Sequence, residues 1–307
     1  IDGMNYALST DGEVRTATVV AGDKKYAGHV AIPSAVTYAG IQYKVTAVGN
    51  DAFNGCTGLQ SITFGDNVTS IGDRAFSDCT QLTEVVLPQG LTSIGDFAFC
   101  FCSGLKTIDI PNSVTNLGVS CFSLCITATS LKIGSGVSTI PLNAFESCYV
   151  LTSVVIPKNV NLINNYAFFD CRKLTSVTIL SDAISIKGAD VFRDCSVLDS
   201  LVFGESVNTI RSSSFKLGNR TNVISLAMFP PVCEGDTSPF AGVSPYCVLY
   251  VPKGCAADYR MAKGWAGQFR AVREMTDSDH SANCDVNGDG VVDIADATAV
   301  IECILGK

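Results

Sequence analysis

The 307-residue chain is short of the side chains that carry most enzyme chemistry. It has two histidines, His29 and His280, and neither neighbours a suggestive catalytic motif of serine, cysteine or carboxylate. No G-x-S-x-G, H-E-x-x-H or phosphate-binding loop occurs, so no nucleophile elbow, metalloprotease helix or nucleotide cradle is offered. The expectation is a protein that is not an enzyme. Charge is also scarce at 16% of residues, and its balance is acidic, with a formal net charge of −8. Phosphate backbones and anionic headgroups call for a basic surface, which argues against nucleic acid as a partner and against an electrostatic membrane anchor. No apolar run approaches the roughly 20 residues of a bilayer-spanning helix, so no transmembrane segment is expected. Nor does a basic and apolar leader open the chain, which starts at Ile1; a signal peptide already removed is the expectation.

Hydrophobic residues are plentiful, at 47%, and so are cysteines, of which there are 14. Disulfide scaffolds are mostly small domains that lack a core, and this chain is long enough to bury one. The cysteine positions are more informative than their number. Phenylalanine recurs at Phe53, Phe76, Phe99, Phe122, Phe145, Phe168, Phe192 and Phe215, in steps of 23 residues with a single 24. A cysteine follows three residues after each of the first seven: Cys56, Cys79, Cys102, Cys125, Cys148, Cys171 and Cys195. In the eighth copy that place falls at Gly218.

Each unit reads V-x-x-I-x-x-x-A-F-x-x-C-x-x-L-x-x-V-x-I-P. Its last part, as in "LTEVVLP", is an extended strand with Leu82, Val85 and Leu87 inward and a proline that ends the ladder. Its middle part, "AFSDC", sets Phe76 and Cys79 at i and i+3, so one helical or 3₁₀ turn points both inward. Its first part, "VTSIG", presents Val68 and Ile71 and then turns at Gly72. One unit has a single apolar side and cannot bury it alone; stacked units can. The fold class expected is therefore a repeat solenoid with a β-strand and a short helical or 3₁₀ turn in each 23-residue coil. Cysteines in such a column are about 4.8 Å apart but point the same way, which suits neither a disulfide nor a tetrahedral metal site. They read as small buried hydrophobes.

This pattern resembles the BspA-like branch of the leucine-rich repeats, found in secreted and surface proteins of anaerobic bacteria. The resemblance implies a leucine-rich-repeat solenoid over residues 45–220, in eight repeats. It also implies a secreted or cell-surface location and adhesion to host or matrix proteins. Residues 1–44 read as a small antiparallel β cap, from "RTATVV", "HVAIP" and "IQYKV". Residues 221–275 read as a degenerate ninth coil, "SPFAGVSPYCVLYVPKG", and an α/β cap. The stretch "AADYRMAKGWAGQFRAVREM" has an amphipathic helical pattern and carries Trp265, read as a lid, with sugar stacking as the rival role. Pairing among Cys233, Cys247 and Cys255 is left open. Residues 276–283, "TDSDHSAN", read as a linker.

Residues 284–307 hold a different motif, a calcium loop leading into a helix. Counted from Asp285, oxygen-bearing side chains fall at positions 1, 3, 5, 9 and 12: Asp285, Asn287, Asp289, Asp293 and Asp296. Gly290 stands at the sharp turn, and Val291 can offer its backbone carbonyl. Calcium takes six to eight hard oxygens from a flexible loop, and this spacing wraps them about one point. An aspartate at position 12 and the lack of a preceding helix-forming segment make it similar to a dockerin half-module with an exiting helix over 294–305. The resemblance implies docking to a cohesin-like domain, with Ile294 and Ala295 helping to choose it. Whether Cys284 and Cys303, which flank the loop, form a bridge is open.

The remaining candidate surface is the outward side of the stacked strands. Its expected partner-binding positions are Thr83, Glu84, Lys106, Thr107, Asp109, Ser130, Lys132, Thr152 and Ser153, continuing through Thr175, Ser176, Thr178, Asp199, Ser200 and Val202. Hydroxyls and β-branched side chains also suit any solvated sheet. The sharper alternative is a flat recognition face for a protein, or possible glycan, ligand. The face lacks the Tyr, Trp and Arg anchors of most tight interfaces.

Overall fold

The computed structural model describes residues 3–10, 14–186, 190–212, 215, 221–235, 238–241 and 243–275. The chain divides into two compact units, Ile1–Val150 and Leu151–Lys307. Both are built from the same parallel β-coil, of which the described residues make about nine turns.

The first unit opens with β1 (Asn5–Ser9), β2 (Thr16–Val20), β3 (Ala27–Ile32), β4 (Ala35–Tyr38) and β5 (Ile41–Val48). Alternation in "TATVV" buries Ala17 and Val19 and turns the residues between them outward. The pairing is mixed rather than simply antiparallel. β1 with β2 and β4 with β5 are antiparallel, whereas β2 with β5 is parallel. The coils follow as β6 (Gly58–Phe64), β7 (Ser70–Ile71), β8 (Glu84–Val85), β9 (Ser93–Ile94), β10 (Thr107–Asp109), β11 (Asn116–Leu117), β12 (Ser130–Lys132) and β13 (Thr139–Ile140). β3 joins β6 in parallel, so the N-terminal strands continue the ladder of the first coil.

Each coil thus carries two strands where the sequence pattern predicts one. The "TSI" segments, expected only to lead into a turn, form a second parallel ladder: Ser70 pairs with Ser93, Ile71 with Ile94, and Asn116 with Ser93. Such a two-residue strand has no periodicity of its own to read. It exists because the same residues of the next coil lie alongside it.

The arc through "AFSDC" also differs from expectation. It is a run of β-turns rather than a helical or 3₁₀ turn. Alternate amides close i→i+3 bonds, Ser77 N–H to the Arg74 carbonyl at 3.2 Å and Cys79 N–H to the Phe76 carbonyl at 3.3 Å. The amides between them donate to the next coil, Arg74 to Asp96 O, Phe76 to Ala98 O and Asp78 to Cys100 O, at 2.7–2.9 Å. In most of the described arcs this alternation puts two residues in the left-handed region, for example Arg74 (φ 51°) with Asp78 (φ 59°), and Phe97 (φ 57°) with Phe101 (φ 61°). A left-handed residue costs roughly 1–2 kcal/mol for most side chains; the ladder bonds offset that cost.

Side-chain oxygens of Asn and Asp complete the arc. Asp73 N–H donates to Asn50 Oδ1, Asp96 N–H to Asp73 Oδ1 and Val119 N–H to Asp96 Oδ1, at 2.7–2.9 Å. Just before this point the coils come so close that a Cβ on Gly118 would lie 2.3 Å from Asp96 N. Inside, Phe53, Phe76, Phe99 and Phe122 stack with centroids 5.0–5.1 Å apart and interplanar angles of 0–9°. Near-parallel rings at that spacing are offset stacks, worth about 0.5–1.5 kcal/mol each beyond area burial.

The second unit repeats the coil through β14 (Ser153–Ile156), β15 (Leu162–Ile163), β16 (Ser176–Ile179), β17 (Ala183–Ile186), β18 (Ser200–Phe203), β19 (Thr209–Ser212), β20 (Asn222–Ser225), β21 (Val232–Glu234) and β22 (Val248–Val251). Helix α1 (Ala256–Met261) and strand β23 (Ala271–Glu274) follow. β14, β16, β18, β20, β22 and β23 form one parallel sheet. Phe240 and Val251 of the degenerate coil are buried, and Phe240 stacks on Phe215 at 5.5 Å. The helical pattern expected over 256–275 is realised for six residues only. Gly264 (φ 87°) and Gly267 (φ 70°) take left-handed conformations that a helix does not use, and the chain then returns as a strand beside β22. Trp265 is buried 4.5 Å from the Phe240 ring, and its indole N–H donates to the Pro231 carbonyl at 2.9 Å. No face of it is open for sugar stacking.

Candidate functional site

In the first unit the outward positions of β8, β10 and β12 form an exposed polar row. Thr83, Glu84, Lys106, Thr107, Asp109, Ser130 and Lys132 are all solvent-facing. Strand register sets Thr107 beside Ser130 and Asp109 beside Lys132. The last pair is a loose ion pair at 3.9 Å; exposed pairs of this kind contribute about 0–1 kcal/mol and stay available to a partner. Some hydroxyls have a structural task. Thr83 and Thr129 each donate to a carbonyl of the preceding coil, Gln60 O and Lys106 O, both at 3.3 Å. In the second unit Thr152 is exposed and Ser153 half-buried.

The equivalent outward positions of the second unit are not open. Ser176, Thr178, Ser200 and Val202, expected to face solvent, are buried, and so is Ile224 on β20. Val202 and Ile224 form an apolar cluster with Met275, flanked by Leu226 and Tyr250. Leu226 also lines a groove of about 350 Å³ with Val207, Met228 and Phe229. Nothing in the 23-residue pattern signalled this change, because outward positions are not constrained by the repeat's own core.

The structure brings together one pair that sequence spacing hid. His29 Nδ1 lies 2.6 Å from Ser61 Oγ across β3 and β6. Both stand on an open sheet, where water surrounds any reacting group. Among the described residues no group of three or more His, Cys, Asp or Glu could hold a metal, and no helix is long and apolar enough to cross a membrane. Asp285, Asn287, Asp289, Val291, Asp293, Ile294, Ala295 and Asp296 lie outside the described residues, as do Cys284 and Cys303.

The repeat cysteines sit in the core. Burial pushes the Cys79 and Cys148 thiols up to about 12, and those of Cys102 and Cys125 well above their ordinary value. Thiols held protonated in this way are poor nucleophiles. No disulfide forms among the described residues, Cys233, Cys247 and Cys255 included.

A coil with Phe and Cys inward, two short parallel ladders and a turn arc between them is the architecture on which the family comparison bears. The profile for "BspA type Leucine rich repeat region" matches residues 33–152 and 138–228, in six copies. The chain belongs to the BspA-type leucine-rich repeat family. Among solved structures, this BspA-type chain is similar to a leucine rich cell surface protein from Faecalibacterium prausnitzii (20% identity, 95% of this chain and 97% of that one, TM-score 0.49). It is similar too to leucine-rich repeat proteins from Bacteroides ovatus (18%, 90% and 90%, TM-score 0.43) and T. pallidum (24%, 86% and 97%, TM-score 0.47). No curated protein matches the chain.

Proposed function

We propose that this BspA-type protein is a non-enzymatic binding scaffold, secreted or held at the bacterial surface, that engages a host or matrix protein through the outward strand face of its first unit. The observation that carries this reading is the exposed row Glu84, Lys106, Asp109 and Lys132. It places charges of both signs on a ladder whose backbone groups are already bonded. A flat polar row suits moderate affinity, because it has no buried aromatic or arginine anchor. The test uses the full chain on an array of host, matrix and glycan ligands. Lys106→Glu with Lys132→Glu is expected to weaken a captured protein at least about tenfold, with an unchanged melting temperature. An array without any retained protein, or equal binding by the variant, overturns the proposal.

A second reading is favoured by the carboxylate spacing at 285–296: a subunit of a surface assembly, docked to a cohesin-like domain through a calcium-loaded module. Asp285, Asn287, Asp289, Asp293 and Asp296 with the Val291 carbonyl are the hard oxygen donors that calcium selects. Calorimetric titration of the full chain is expected to show calcium-dependent heat that Asp285→Ala with Asp296→Ala removes. Heat that survives the double substitution overturns the assignment.

A further inference from the structure

The two parallel ladders of the first unit do not begin at the same level. β2 and β3 are successive strands of one coil, as β5 and β6 are of the next, since β2 pairs with β5 and β3 with β6. Beyond β2 stands one more strand, β1. Beyond β3, among the described residues, stands none. One sheet thus runs a strand further than the other. The end of the unit has a step one strand wide, about 4.8 Å.

Both walls of this step carry apolar side chains that the core leaves half-covered. On β3, Val30 lies in register with Ile62 and points to the same side. Ile62 is 1% exposed, whereas Val30 is half-buried. On β1, Leu8 lies opposite Ala17 and shares its face. Ala17 is 1% exposed, and Leu8 is half-buried. The edge of β3 adds main-chain groups, because an edge strand turns a row of N–H and C=O groups away from its neighbour. β3 is six residues long, against two for β8 in the same sheet. Edges are commonly blunted by charge or proline, yet residues 27–32 include no Asp, Glu, Lys, Arg or Pro. Their one irregularity is a bulge between Gly28 and His29.

The shape of the step selects its occupant. A second copy, joined edge to edge with its outward face kept outward, would bring its own β2 to the level that β1 already holds. A single extended strand meets no such obstacle. It would pair with β3 on one side and lay alternate side chains against Leu8 and Val30. Lys24 and Lys25 are exposed just before β3, with Asp23 as the acid beside them. An acidic residue therefore suits the end of the strand that reaches them.

We propose that the open edge of β3 binds an extended segment of a partner protein by strand addition, with alternate apolar side chains over Leu8 and Val30 and an acidic residue beside Lys24. Main-chain bonds to β3 supply the affinity, and the half-covered walls supply the sequence preference. The segment uses the edge and the core side of the sheet, so it leaves the outward polar row free.

The test measures binding of capped heptapeptides to the full chain. In these probes Val, Ile or Leu alternates with Ser or Thr, and one end carries Glu. Peptides that bind are expected to slow hydrogen exchange in the fragment holding residues 27–32. Methylating one alternate set of their amide nitrogens is expected to weaken binding at least about tenfold, and methylating the other set to change it little, because a strand offers one edge to its neighbour. Val30→Lys is expected to weaken binding at least about tenfold; Leu8→Ser serves if Val30→Lys lowers the melting temperature. Any of four outcomes overturns the proposal. No heptapeptide is retained above scrambled ones whose apolar residues are contiguous. Protection falls only on other fragments. The two methylated sets bind equally. Sedimentation shows a doubled mass that bound peptide dissociates, which assigns the edge to a second copy.

Discussion

The thiol of Cys79 donates to the main-chain oxygen of Phe53, one coil back, at 3.2 Å. Cys102 does the same to Phe76, Cys125 to Phe99 and Cys148 to Phe122, at 3.2–3.6 Å. Each of these carbonyls faces the core, where an unmet acceptor is costly. The Phe53 and Phe76 carbonyls also take the amide of the cysteine three residues on in their own coils, Cys56 at 3.0 Å and Cys79 at 3.3 Å. Cysteine fits because it is small, apolar enough to pack against stacked phenylalanines, and still a weak donor.

Replacing it tests that account. Cys79→Ala removes the sulfur and its bond without adding bulk. It is expected to lower stability by about 1–2 kcal/mol in urea unfolding. Binding at the outward strand face is expected to be unchanged, since Cys79 is buried on the opposite side of the strands.

The buried thiols predict an alkaline weakness. Desolvation raises Cys79, and the neighbouring Cys56 adds to it, to about 12; Cys148 reaches about 12 and Cys100 about 11, from an ordinary 9.0. The native state holds these protons more tightly than the unfolded chain does. Their contribution is therefore complete below pH 9 and is lost as pH rises from there through 11–12. Melting temperature is expected to stay level between about pH 7 and 8.5 and to fall by about pH 10.5. Cys79→Ala with Cys148→Ala is expected to flatten that fall; an unchanged slope sinks the explanation.

The turn arcs predict an unusual tolerance. Arg74 is exposed, left-handed at φ 51°, and paired loosely with Asp51 at 3.2 Å. Glycine removes the conformational cost there and loses only an exposed ion pair. Arg74→Gly is expected to be at least as stable as the parent chain. Arg74→Val, whose branched Cβ suits that region worst, is expected to lose about 1–2 kcal/mol. Thermal melts of the two variants decide it, and a Val variant no less stable than the Gly variant contradicts the handedness argument.

The amino-acid sequence by itself determined the coil: its length, its inward Phe, Cys, Leu and Ile, and the strand that ends each repeat, at a proline in Pro88, Pro111 and Pro157. Those residues repeat because every coil must fill the same cross-section of core, so the period is written in side-chain type. Tertiary structure alone decided the rest. The "TSI" strands, the alternating left-handed arcs and the thiol partners of the Phe carbonyls depend on a neighbouring coil about 23 residues away. No local propensity encodes such a contact. The same holds for Ser200, Val202 and Ile224. Alternation along a strand says which side a residue faces, but burial on that side depends on what else packs there, and that is set by the whole chain.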